Sequence, residues 1–127
     1  MLKGMNRMAK RGLGVYFFDG SIRIFDKTME ELQFPKFIHL YIDREKKLLY
    51  IKSSKERDNN TFRVSRKKEN EEWRYRIYSK GFVKYLASLV GVPYPSDSLW
   101  YEEELLDDGN TVQVKLEEYH PIPYRAN

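Results

Sequence analysis

Residues 22–27 read Ile-Arg-Ile-Phe-Asp-Lys and residues 75–80 read Tyr-Arg-Ile-Tyr-Ser-Lys, a near-repeat 53 positions apart. Internal repetition constrains a fold more than any single motif, because each copy must form the same local unit and the copies must bury each other's apolar faces. In both copies a short alternating strand runs into a residue that can cap a helix, Asp26 or Ser79, and then into a helical pattern. A strand–turn–strand pattern follows each helix. The chain is therefore expected to be mainly β with two short helices (α+β), a pseudo-twofold tandem of two β-β-α-β-β units.

The local signals fill in the units. Val15–Phe18 and Ser21–Phe25 flank Asp19-Gly20, a pair that supplies the positive φ angles of a two-residue hairpin turn. Ile22 and Ile24 are expected to face the core and Arg23 to face out. Met29 and Leu32 share one face of a helix that Pro35 stops. Phe37–Ile42 and Leu48–Lys52 form a hairpin around a charged turn, and apolar residues at both parities of the first strand predict cover on both faces. The second unit starts with Thr61–Ser65 and Trp73–Tyr78 around a charged turn at 66–72. Phe62, Val64, Trp73, Tyr75 and Ile77 are expected in the core. A helix from Ser79 carries Phe82, Tyr85, Leu86, Leu89 and Val90 at helical spacing and closes at Gly91. Leu99–Leu106 and Thr111–Leu116 make the last hairpin. Divided by composition, residues 1–12 form a basic flexible arm and residues 13–52 the first unit. Residues 53–60 are a polar linker, 61–118 the second unit, and 119–127 an extended tail. Both units are expected to form one body.

Composition narrows the functional classes. The 127 residues are 41% hydrophobic and 15% aromatic, enough for one packed core. No cysteine occurs, which excludes disulfides, thiolate nucleophiles and cysteine zinc sites. No apolar run approaches the roughly 20 residues of a membrane span, and no apolar signal-peptide core follows the basic N-terminus. A soluble, cytoplasmic protein without a membrane partner is expected. The net charge of +4 is segregated: +4 in residues 1–12, zero in 13–51, +6 in 52–84 and −6 in 85–127. A basic middle suits a polyanion. The acidic end suits a basic partner, the basic middle itself, or a second copy in a salt-sensitive homodimer.

Enzymatic chemistry finds no footing. His39 and His120 are the only histidines and neither has a spaced partner motif. Glu102, Glu103 and Glu104 are consecutive, so in a strand they alternate faces and read as a solvated edge. Asp107-Asp-Gly-Asn110 lacks the spaced ligands of a calcium loop and reads as a hairpin turn. No phosphate-binding glycine loop or serine nucleophile motif occurs. No catalytic residue, metal ligand or cofactor is assigned.

The segment GSIRIFDKTMEELQFPKFIHLYIDREKKLLYIKS has a strand of the form apolar-Arg-Ile, a short helix ending on a large apolar residue, and a hairpin with a charged turn. YRIYSKGFVKYLASLVGV matches the same core. Over residues 14–118 the chain resembles the swapped-hairpin superfamily of AbrB-type transcription regulators and MazE-type antitoxins. Two copies in one chain are similar to the tandem arrangement of MraZ-type regulators. The resemblance implies an interleaved barrel-like body and DNA binding without enzymatic activity. Aromatic Val15–Phe18 stands where family members place basic residues, so contacts with double-stranded DNA are expected mainly from the second copy. The expected contacts are Arg63, Arg66, Lys67, Lys68, Arg74 and Arg76, with Lys10 and Arg11 of the arm and Arg23 of the first copy. The leading expectation is a DNA-binding transcriptional regulator. The alternative is a protein-interaction module, antitoxin-like or a mobile-element accessory protein, whose acidic C-terminal half binds a basic partner.

Overall fold

The computed structural model describes residues 11–92 and 98–122. The first unit runs β1 (Leu13–Tyr16), β2 (Ser21–Ile24), α1 (Asp26–Glu31), β3 (Phe37–Asp43) and β4 (Leu48–Ser54). The second runs β5 (Thr61–Arg63), β6 (Ser65–Glu69), β7 (Glu72–Tyr78), α2 (Lys80–Val90), β8 (Ser98–Tyr101), β9 (Glu104–Leu105), β10 (Thr111–Lys115) and β11 (His120–Ile122). Two open sheets result, one of six strands in the order β11-β8-β1-β2-β7-β6 and one of five in the order β5-β3-β4-β10-β9. The protein is mainly β with two helices, as expected, and neither sheet closes on itself.

The sequence repeat surfaces as local symmetry. β2 pairs antiparallel with β7 so that Ile22 faces Ile77 and Arg23 faces Arg76. Arg23 and Arg76 are also equivalent positions of the repeat, so the two copies pair with each other at the same position. The β1–β2 and β6–β7 hairpins thus meet back to back. In the second sheet β4 pairs with β10, joining the β3–β4 hairpin to the β9–β10 hairpin. The units are nevertheless not superposable throughout. β8 leaves the last hairpin and pairs with β1, and β11 pairs with β8.

Two strands read from sequence as continuous are split between the sheets. Thr61–Ser65 bends at Val64, which is buried and donates its N–H to the Lys36 carbonyl at 2.8 Å. β5 before the bend pairs with β3, and β6 after it pairs with β7. Leu99–Leu106 bends at Glu102-Glu103, with β8 in the first sheet and β9 in the second. Such corners arise where a strand switches sheets. One corner lies at each margin of the body.

The core draws on both sheets and both helices. Leu13, Val15, Ile22, Ile24, Tyr75 and Ile77 come from the six-stranded sheet, and Ile38, Leu49, Ile51, Val112 and Val114 from the other. Met29 and Leu32 seal it from the first unit and Val83, Leu86 and Ala87 from α2. Tyr101 is buried and its hydroxyl donates to the Leu116 carbonyl at 3.0 Å. Burial holds its ionisation well above the usual tyrosine value.

Some local expectations hold and others are corrected. Ser79 caps α2, accepting from the Phe82 N–H at 3.2 Å, and Gly91 ends it in the left-handed conformation. Asp26 does not cap α1: Phe25 occupies the cap position, and Asp26 is the first helical residue, where its charge complements the dipole. α1 ends at Glu31, and the chain turns through left-handed Gln33 and Phe34 before reaching Pro35. The buried stripe of α2 is Val83, Leu86 and Ala87, while Tyr85 is exposed. The first hairpin has a four-residue loop, 17–20, because Tyr16 pairs with Ser21 and Phe17 is buried. In that loop Gly20 has φ +66°, and a side chain there would strike Lys80 of α2. β3 is fully buried only at Ile38; on its other face Phe37 and His39 are half-buried and Tyr41 is exposed. The turn at 66–72 shrinks to Asn70-Glu71, both at positive φ, so Arg66, Lys67 and Lys68 lie within a strand. Trp73 shares the parity of Tyr75 but lies beyond the core and is 44% exposed.

The arm also ends earlier than expected. Gly12 donates its N–H to the buried Thr28 hydroxyl at 2.6 Å and accepts from the Phe25 N–H at 3.0 Å. Its φ is +112°, and a β-carbon would be driven into the Tyr101 carbonyl. Residues 11 and 12 therefore belong to the body. Lys10 and the rest of the arm, with the tail from 123 onward, lie outside the described residues.

Candidate nucleic-acid interface

The expected basic residues do not form one continuous patch. On the outer face of the six-stranded sheet, Trp100, Gly14, Arg23, Arg76 and Ser65 are successive cross-strand neighbours. Lys67 faces Arg74 on the same side of the β6–β7 ribbon. Arg76 Nη1 donates to Glu69 Oε2 at 3.1 Å, and Arg74 Nη1 to Glu72 Oε1 at 2.7 Å. Arg74 also lies 3.9 Å from Glu69. Hydrogen bonding from Arg76 holds the Glu69 carboxyl below its usual range. These arginines are thus engaged by carboxylates of their own hairpin, not by the acidic last hairpin.

Arg23 is placed differently. It makes no ion pair among the described residues; its guanidinium sits 5.7 Å from the Phe25 ring centre, with Tyr16 beside it. Burial first, then the charges of Arg74 and Arg76, lowers its pKa from the ordinary arginine value. Arg11 is consumed at the opposite margin. It bonds Glu31 and lies 3.2 Å from Glu103.

Two of the remaining expected cations, Arg63 and Arg66, meet Lys36 at the β5–β6 corner. A groove of about 810 Å³ is lined by Lys36, Phe37, Phe62, Arg63, Val64, Ser65, Arg66, Ile77 and Tyr78. Phe37 is paired with Arg63 across β3 and β5, and the Lys36 carbonyl holds Val64 at the bend. Lys36, Arg63 and Arg66 are exposed, and none is in an ion pair among the described residues. Among the described residues no acid lines the groove. Arg66 lies 5.0 Å from the centre of the Trp73 ring, a cation–π contact that orients its planar guanidinium. Lys68 sits beyond it, 3.9 Å from Glu71.

The sequence singled out Arg63 and Arg66 but missed Lys36, Phe37 and Tyr78 as their neighbours. Lys36 is distant from the basic stretch in sequence, and only the β3–β5 pairing brings them together.

The opposite corner is its electrostatic inverse. Glu102, Glu103, Glu104 and Glu118 line a cleft of about 380 Å³ with Gln113, Tyr119, His120 and one cation, Lys115. The three consecutive glutamates are not uniformly solvated: Glu102 and Glu104 are exposed, whereas the Glu103 side chain is fully shielded and beside Glu31. Burial first, then the hydrogen bond and charge of Glu31, pushes the Glu103 carboxyl up to about 7, against the opposing pull of Arg11. His39 and His120 lie 3.9 Å from Asp58 and 3.4 Å from Glu102. Among the described residues no group of three or more histidine or acidic side chains is placed to hold a metal, and no helix is long and apolar enough to cross a membrane.

Comparison of the chain with protein-family models, curated proteins and solved structures finds no match.

Proposed function

We propose that this chain is a non-enzymatic, cytoplasmic DNA-binding regulator that grips phosphates at the β5–β6 corner. The observation that carries this reading is the convergence of Lys36, Arg63 and Arg66 in one groove that no carboxylate among the described residues lines. Such cations cost repulsion unless an anion neutralises them, and a phosphate backbone is the anion that spans several at once. Lys67 and Lys68 extend the positive surface along the edge strand β6, while Arg74 and Arg76 are tempered by Glu69 and Glu72. Arg23 adds positive charge at the centre of the outer face. The same reading takes the paired hairpins as an intrachain form of the swapped-hairpin arrangement. Its support is the twofold relation of the β1–β2 and β6–β7 hairpins about Arg23 and Arg76.

The test is fluorescence anisotropy with a labelled mixed-sequence DNA, presented as single strand and as duplex, over a salt series. The reading requires binding at low salt to at least one form, weakening as salt rises. Arg63→Ala with Arg66→Ala should weaken it and make the salt slope shallower by about 0.7–0.9 for each phosphate no longer neutralised. Absence of binding to either form at low salt refutes it.

The acidic corner supports the second reading. Exposed Glu102, Glu104 and Glu118 share one cleft, a surface suited to a basic protein partner. A stoichiometric partner that co-purifies after nuclease treatment and is absent from Glu102→Lys with Glu104→Lys would favour it.

A further inference from the structure

We infer that the β5–β6 corner groove takes an unpaired stretch of nucleic acid in preference to intact duplex. This rests on the nucleic-acid reading above and names the form of the ligand. The first observation is shape. A duplex presents stacked bases behind two phosphate ridges, and proteins reach it with a convex element that enters a groove. The site here is concave and lies where a strand passes from one sheet to the other. Its volume of about 810 Å³ falls in the range of small-molecule pockets, roughly 300–1,000 Å³. Separated bases can enter a recess of that size; a duplex cannot.

The second observation is the aromatic surface around the three cations. Tyr78 lines the groove and is 55% exposed. Phe37 and Phe62 also line it, both half-buried, and Trp73, outside the groove on the other face of β7, supports the Arg66 guanidinium from below. Isolated exposed apolar side chains are ordinary. Three rings lining one basic groove, Tyr78 with Phe37 and Phe62, form a different pattern. Unstacked bases lie against aromatic rings and guanidinium planes, whereas paired bases keep their faces hidden in the helix. Phosphates of a single strand on Lys36, Arg63 and Arg66 would leave its bases facing the Tyr78 ring and the plane of the Arg66 guanidinium.

The experiment compares one short mixed-sequence oligonucleotide, labelled and single-stranded, with its blunt duplex, on the full chain at low salt. The single strand should bind at least tenfold more tightly. Trp73→Ala with Tyr78→Ala should reduce single-strand affinity by about ten- to a hundredfold and keep the parent's salt slope, because every cation that meets a phosphate is retained. Both side chains are exposed, and circular dichroism of the variant confirms its fold. Duplex binding equal to or tighter than single-strand binding overturns the inference but leaves the nucleic-acid reading intact, as does unchanged single-strand affinity in the aromatic double variant. Failure of both forms to bind overturns inference and reading together.

Discussion

Glu103 ties the acidic corner to the pH of the solution, and Glu103→Gln isolates that dependence. Its side chain is fully shielded, that of Glu31 is 12% exposed and that of Arg11 is 52% exposed. One guanidinium therefore faces two buried carboxyls, and the arrangement is neutral only when the pair retains one proton. In the folded protein the Glu103 carboxyl is pushed up to about 7 from an ordinary value of 4.5. The sign follows directly. Between those values the folded state holds a proton that the unfolded chain has released, so stability falls as pH rises from about 4.5 to about 7 and then levels off. The full shift converts, at 1.36 kcal/mol per unit, to about 3 kcal/mol. Solvent reaching the half-exposed Arg11 reduces this to on the order of 2 kcal/mol. Glutamine keeps the shape and offers an N–H to Glu31 at every pH. Urea unfolding of both proteins at pH 5 and pH 8 provides the assay. Relative to the parent, Glu103→Gln should gain about 2 kcal/mol of stability between pH 5 and pH 8. Parallel stability profiles for the two proteins would falsify the shared-proton account.

Gly12→Ala should destabilise by more than about 3 kcal/mol, since the positive φ and the Tyr101 carbonyl both reject a β-carbon; a thermal melt within a few degrees of the parent would show that the strand pairing relaxes around it. The corners carry opposite charge on one rigid body, so sedimentation at low salt should show self-association that weakens with added salt. A monomer at every salt and concentration tested would remove the corner-to-corner association from consideration.

Much of the local structure was legible in the chain. The alternation around Ile22, Ile24, Tyr75 and Ile77, the Ser79 cap and the Gly91 stop depend on near neighbours. Near neighbours fix strand parity and helix ends. The repeat also announced that two like units would meet, and they do, at Arg23 and Arg76. What the chain could not disclose was which sheet each strand would join. Thr61–Ser65 and Leu99–Leu106 each have the pattern of one strand, because alternation is unaffected by where the hydrogen bonds go. Only the competition for partners in three dimensions, with Val64 held by the Lys36 carbonyl and β8 drawn onto β1, divides each between the sheets. That division creates both corners. It places Lys36 with Arg63 and Arg66 and turns Glu103 inward. Charge segregation was visible in composition, but opposite sign cannot say which charges pair. Local geometry gave Arg74 and Arg76 to Glu69 and Glu72 two to seven residues away, left Arg63 and Arg66 without an acid, and drew Arg11 to Glu31 and Glu103. The sequence by itself determined a β-rich repeat with a basic middle and an acidic end; the tertiary structure alone decided which of those charges remain available, because availability depends on distances between strands that are remote along the chain.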